Sequence, residues 1–176
     1  MTYLYHFVPK NLQGHILYPL NQLKEKLPEV YQKEVAKYAG REHVMQMKIP
    51  FLNCLWNDTL HFSAVNPREA KKALDDAGYD RAMVISYYQV EPELLDPRDT
   101  VVYLNEPSED NDRMREENFV HYRPDEVDRF AYIPEATKKY YREKISEGKS
   151  PLMYHQIPHI LYRGTLDVSN LPKISI

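Results

Sequence analysis

Apolar and polar side chains alternate over residues 3–8, Tyr-Leu-Tyr-His-Phe-Val, until Pro9 stops the run. A period of two predicts a strand, with His6 on the face opposite Tyr5 and Phe7. Asn11 is placed to cap a single helical turn through Gln13, which Gly14 would end, and Tyr18-Pro19-Leu20 reads as a second turn. The period then changes. Leu23, Leu27, Val30, Tyr31, Val35 and Tyr38 follow at steps of three and four with Lys and Glu between them. That spacing predicts an amphipathic helix, broken near Pro28 and closed by Gly40, with its charged face in solvent.

Further along, β-prone runs predict strands at 44–47, 59–63, 82–90, 100–104, 119–122 and 159–162, with a last strand after a bend at Gly164. Asn66-Pro67 opens a predicted helix over 68–77 that Gly78 ends, and a second helix over 135–145 runs towards Gly148. Residues 91–99 form a loop with Pro92 and Pro97. Residues 105–118 carry six acids, Glu106, Glu109, Asp110, Asp112, Glu116 and Glu117, and read as an exposed loop. Strands dominate both ends and helices sit between them. This order predicts a single α+β domain, mostly antiparallel and flanked by helices, rather than a wound parallel sheet.

Composition narrows the choices. A chain of 176 residues is large enough to bury one sizeable core. Its net charge of −3 leaves no basic footprint for duplex nucleic acid. With Cys54 as the one cysteine, no internal disulfide is expected and a reducing, cytoplasmic setting fits. No basic-then-apolar leader is seen at the N-terminus, and no apolar run approaches the roughly 20 residues of a membrane span, so no membrane partner is expected. Only 5 Gly accompany 15 Tyr, and neither a P-loop nor a Gly-x-Gly-x-x-Gly turn occurs, which excludes the usual phosphate cradles. The absence of a Gly-x-Ser-x-Gly elbow argues against a serine hydrolase.

The candidate chemistry is in the histidines. His6, His61, His155 and His159 fall on or beside predicted strands and would converge if the first and last strands lie together. Structural roles are the common alternative for each. Pro158 separates His155 from His159, so the pair cannot share a helical face as zinc ligands do, and no metal centre is expected. Cys54 is either a nucleophile paired with a histidine or a small buried hydrophobe; its apolar neighbours Leu52, Leu55 and Trp56 favour the second. Asn53, Trp56, Asn57, Asp58 and His61 cluster within nine residues. They suit stacking on a flat base and bonding its edge, or equally a loop anchored by Trp56 with Asn57-Asp58 as its turn.

Tyr5-His6-Phe7-Val8, then Asn11-Leu12 and Gly14-x-x-Leu17-Tyr18, resembles the opening of ADP-ribosyltransferase-fold proteins, in particular the DarT-like enzymes that modify thymidine in single-stranded DNA. Leu60-His61-Phe62-Ser63 before Asn66-Pro67 resembles their second core strand, 82–90 the next, and Pro158-His159-Ile160-Leu161-Tyr162-Arg163-Gly164 a late strand. The resemblance implies a split β core and a cleft for NAD as substrate. His6 would hold the ribose on the nicotinamide side, Asn11 would contact ribose or nicotinamide, and Tyr18 or Phe62 would pack on the nicotinamide ring. His6, His61 and His159 are the catalytic candidates. Where active relatives carry Glu before the late strand, this chain has His159, with Gln156 nearby. Where DarT-like enzymes carry Arg after the second strand, it has Val65-Asn66-Pro67, and Arg68 is the nearest. An imidazole cannot supply the negative charge that a carboxylate gives an oxocarbenium-like state. The acid would then come from elsewhere, with Glu91 and Glu93 the nearest candidates.

The leading expectation is therefore NAD-dependent transfer of ADP-ribose to nucleic acid, single-stranded above all, or to a protein. The alternatives are a non-catalytic nucleotide- or partner-binding module of the same fold and a His-based phosphotransferase or hydrolase.

Overall fold

The fold is α+β and its sheets are antiparallel throughout. In a computed structural model, residues 2–107 and 114–176 are described. The acidic stretch expected at 105–118 falls partly on residues 108–113, outside the described residues. Strands β1 (Leu4–Phe7), β2 (Ile16–Leu17), β3 (Lys48–Ile49), β4 (Cys54–Leu55) and β5 (Leu60–Phe62) come first. They are followed by β6 (Ser86–Val90), β7 (Thr100–Tyr103), β8 (Phe119–His121), β9 (His159–Tyr162), β10 (Leu166–Asp167) and β11 (Lys173–Ser175). Helices α1 (Leu20–Lys26) and α2 (Pro28–Val35) lie between β2 and β3; α3 (Pro67–Asp76) follows β5, and α4 (Glu135–Ser146) precedes β9.

Among the described residues the two larger sheets have the orders β1-β6-β11 and β5-β9-β7-β8, with the two-stranded sheets β10-β2 and β3-β4 besides. A single bridge joins the two larger sheets, Tyr5 to Ser63, with N–H to O distances of 2.8 Å and 3.1 Å in the two directions. Continuing that antiparallel register would set His6 against Phe62 and Phe7 against His61. The ladder stops instead, and β1 and β5 part. The β core is thus split where β1 and β5 carry their histidines.

Alternation fixes the two faces. Leu60, Phe62, Val102 and Ile160 join Leu4, Tyr88 and Val90 in the main core. Val101, Tyr103 and Leu161 point the other way and pack on Ile49, Leu52 and Phe119. Every residue of β7 is buried, because both faces of its sheet are covered, which is why it reads as an unbroken apolar run.

Local chemistry explains the helices. Asn66 caps α3 by accepting the Arg68 N–H at 2.9 Å, Pro67 sits in its first turn, and Gly78 follows its end at φ +96°. Pro28 starts α2 after Leu27 leaves helical geometry at φ −145° and ψ 72°, so the helix breaks at the proline where the sequence places the break. Helix α1 buries no residue and α2 only Val30. Their apolar stripe covers a cavity rather than the close-packed core.

Three local expectations are corrected. The strand at 44–47 is a 3-10 turn (Glu42–Gln46), and the strand forms one step later as the β3-β4 hairpin. Its loop needs Phe51 at φ +67° and Asn53 at φ +49°; a phenylalanine in left-handed backbone is not a recognisable turn signal. Asn11 caps no helix; only a turn from Leu12 N–H to the Pro9 carbonyl forms, at 3.3 Å. The strand at 82–90 is shortened to β6, because β1 offers partners only from Tyr87 onward and Val84 stands in solvent.

Gly164 sits where a Cβ would meet the Tyr162 ring, whose Cε1 lies 2.7 Å from the added atom. Gly164→Ala is expected to swing the far end of that partly exposed ring aside at little cost, about 0.5 kcal/mol or less. A urea midpoint close to wild type checks this; a midpoint lowered by more than about 1 kcal/mol of stability would show that the ring cannot move.

Candidate functional site

Where β1 and β5 part, two cavities adjoin. The smaller, of about 140 Å³, lies under α1 and α2 and is bordered by His6, Leu17, Tyr18, Glu34, Asn57 and His61 among others. The larger, of about 980 Å³, runs between β1, β5 and the segments 83–87 and 151–154, and reaches His159. Phe7, Asn11, Glu34, Lys37 and His61 border both. A cavity of roughly 150 Å³ holds one benzene-sized ring. Pockets of roughly 300–1,000 Å³ hold drug-sized ligands.

The histidines are fixed by backbone carbonyls. His6 is buried, and its Nδ1–H donates to the Phe7 carbonyl at 2.7 Å. His61 donates Nε2–H to the Trp56 carbonyl at 3.1 Å, with the indole edge-on at 4.6 Å between ring centroids. His159 donates Nδ1–H to the Ile157 carbonyl at 2.7 Å. A carbonyl only accepts, so each bond sets the tautomer and leaves the other ring nitrogen as an acceptor. Burial lowers all three pKa values: His6 to about 4, His61 to about 3, and His159 in the same direction. The neighbouring His159 and His6 lower His61 further. At neutral pH the three are uncharged, suited to accepting from hydroxyl or amide groups and unable to offer phosphate a cation.

Other expected residues divide clearly. Asn11 borders both cavities and donates Nδ2–H to Glu34 Oε1 at 3.2 Å. Tyr18 is half-buried on the smaller cavity and has a face to stack. Phe62 is a core ring, 5.2 Å edge-on from His6, and backs that histidine from below. His155 borders neither cavity; it stacks on Tyr140 of α4 at 3.8 Å. Glu91 and Glu93 are exposed and border neither cavity.

The carboxylate in the cleft is Glu34, on α2. Its Oε2 lies 3.6 Å from Lys37 Nζ while Oε1 accepts from Asn11. In sequence Leu23, Leu27, Val30 and Glu34 follow at helical spacing, and within α2 Val30 and Glu34 share one face. An acid in an apolar stripe is the signal that sequence offers for it. Treating every charge of the helix as solvated misses it.

Asn57 belongs to the expected polar cluster, and its environment is specific. It is 2% exposed and borders the smaller cavity. Tyr38 O–H donates to its Oδ1 at 2.8 Å, and its Nδ2 has no partner among the described residues. Asp58 holds the loop by accepting the Leu55 N–H and Asn21 Nδ2–H, each at 2.7 Å.

Cys54 is half-buried against the second core cluster, and burial pushes its thiol up to about 11, with Asp58 adding to the effect. At pH 8 about one molecule in a thousand would carry the thiolate. Iodoacetamide is expected to modify it on the order of 10²-fold more slowly than a free thiol. A free-thiol rate in a mass-spectrometric time course contradicts that.

Among the described residues no group of three His, Cys, Asp or Glu is arranged to hold a metal ion. No described helix is long and apolar enough to cross a membrane. No family model, curated protein or solved structure matches the chain.

Proposed function

We propose that the split between β1 and β5 is an NAD cleft and that the protein transfers ADP-ribose to an acceptor. The observation that carries this reading is the pairing of a ring-sized cavity with a larger one, both bordered by Glu34 and His61. A dinucleotide with a small leaving ring needs such a pair of spaces. In this reading the nicotinamide enters the smaller cavity beside Tyr18 and the ribose meets His6, whose Nε2 accepts from a hydroxyl. Breaking the glycosidic bond leaves positive charge on the ribose carbon, and the Glu34 carboxylate supplies the opposing charge. Neutral histidines add no repulsion to that charge.

The acceptor enters from the larger cavity. Phe7, 46% exposed and stacked on His6 at 5.1 Å, offers an aromatic face there, with Lys10 and Lys37 beside it. An aromatic face flanked by lysines suits a base of single-stranded nucleic acid, because every base stacks. A second reading, a nucleotide-binding module without transfer, is favoured by the Lys37 ammonium close to Glu34, which would offset the carboxylate's field.

Incubation with NAD labelled in its adenylate part, together with mixed single-stranded nucleic acids and proteins, tests the proposal. Label is expected on an acceptor with wild type and not with His6→Ala. Binding of NAD without label transfer selects the second reading, and neither binding nor transfer removes both.

A further inference from the structure

Val84 and Leu152 are the two most exposed large apolar side chains among the described residues, at 88% and 66%. They come from distant segments, yet both border the larger cavity. Their backbones are anchored. Directly after Val84, the Ile85 N–H and carbonyl both pair with Ile176, at 3.2 Å and 3.0 Å. The Leu152 N–H donates to the Tyr140 hydroxyl at 3.2 Å, and the Tyr141 hydroxyl donates to the Met153 carbonyl, so α4 holds the second segment. Arg81 Nη1 donates to Ser150 Oγ at 2.8 Å and ties the two segments to each other. Side chains left in water forgo the gain of burial, and fixing their backbones adds an entropic cost. Apolar groups presented in this way around a concave space mark a ligand groove.

Charge decides what kind of ligand fits. Lys10 and Lys37 border the same cavity, and Lys37 also borders the smaller one, so it lies where the two adjoin. The neutral histidines leave these lysines as the groups able to meet an anion. An apolar clip at one end and two ammonium groups towards the other match a flat ring joined to a short polyanion. A space of about 980 Å³ holds such a ligand. We propose that Val84 and Leu152 clip the purine ring of a nucleoside diphosphate group whose phosphates face Lys10 and Lys37. A purine offers two apolar faces to the two walls and buries more area between them than a pyrimidine does. The proposal rests on the NAD reading for one point, that this group is the adenylate half of a longer ligand whose other ring enters the smaller cavity.

The experiment measures binding of ADP, adenosine and NAD by ligand-observed NMR to wild type, Val84→Ser, Leu152→Ser, the double serine variant and Lys10→Gln. The replaced side chains are exposed, and circular dichroism checks that each variant keeps its fold. Each single serine is expected to weaken ADP and adenosine alike, by about three- to tenfold, and the double variant by about 10²-fold. Lys10→Gln is expected to weaken ADP a few-fold and leave adenosine unchanged. ADP bound with this dependence but not displaced by NAD supports the clip and removes the NAD reading. NAD bound equally by wild type and the double serine variant keeps that reading and overturns the clip. No ADP bound at millimolar concentration also overturns it. So does a dimer in light scattering, or binding of oligothymidylate, that is lost in Leu152→Ser while ADP binding is not.

Discussion

Glu34→Gln is expected to lower ADP-ribosyl transfer by about 10²–10³-fold, the usual effect of removing one placed electrostatic stabiliser, while NAD binding changes only a few-fold. The substitution is nearly isosteric. A glutamine oxygen can still accept from Asn11 Nδ2, so the local fold on α2 is kept and only the charge is lost. Lys37 then faces the cleft without its partner, which adds unfavourable charge against a developing oxocarbenium ion. Lys37→Met is expected to act in the opposite direction and raise transfer. Single-turnover rates with labelled NAD separate this chemistry from binding. Equal rates for wild type and Glu34→Gln would show that another group carries the charge.

Acid is expected to destabilise the fold well above the range where carboxylates titrate. His6 and His61 are held at pKa values of about 4 and about 3, below the ordinary 6.5 of a histidine. Between pH 6.5 and about 4 the unfolded chain binds more protons than the folded one, so stability rises with pH across that window and falls as pH is lowered through it. Above pH 6.5 the contribution is fully present. A tenfold difference in proton affinity between the folded and unfolded chain is worth about 1.4 kcal/mol. The drops from 6.5 to about 4 and to about 3 together correspond to on the order of 8 kcal/mol, lost in full only once the pH falls below both folded values. That is a large fraction of the roughly 5–15 kcal/mol of a typical domain. Asp96, held at about 2 by Arg98, responds only below the ordinary aspartate range, while Glu42, Glu135 and Glu147, held below the usual glutamate value by the Gly40 N–H and by neighbouring lysines, contribute only at the acid end of the window. Urea midpoints are expected to fall steadily from pH 7 to pH 4.5, and His61→Gln should flatten that slope. A flat wild-type profile would mean the imidazoles can be protonated in place.

Much of the architecture is written locally in the chain. Helix α3 carries its own cap, proline and terminating glycine, and β7 and β9 are apolar runs with little alternative. The split is not local. It depends on a ladder that begins at Tyr5 and Ser63 and does not continue, which is a contest between β1 pairing with β6 and β5 pairing with β9. The short strands β2 and β3 leave no sequence signal for the same reason, since two residues acquire strand geometry only from their partner, whereas β10 is the strand expected after the bend at Gly164. At the site, the histidines on β1, β5 and β9 are legible because alternation places them. Their neutrality is not, because it comes from burial and from carbonyls at Phe7, Trp56 and Ile157 that no spacing announces. Glu34 is legible only through its place at the spacing of Leu27 and Val30, which is lost when every helix charge is read as solvated, and Glu91 and Glu93 stand out only through their nearness in sequence to β6.

The most direct measurement is an NMR titration of the isotope-labelled protein with NAD. Shifts are expected at the His6 and His61 ring protons and Tyr18, with smaller ones at Phe7 and His159. Tyr140 and His155, which lie outside both cavities, should stay in place. Saturable shifts centred on that first group support an NAD cleft at the parting of β1 and β5. No shift at millimolar NAD, or shifts centred on residues away from the split, would contradict it.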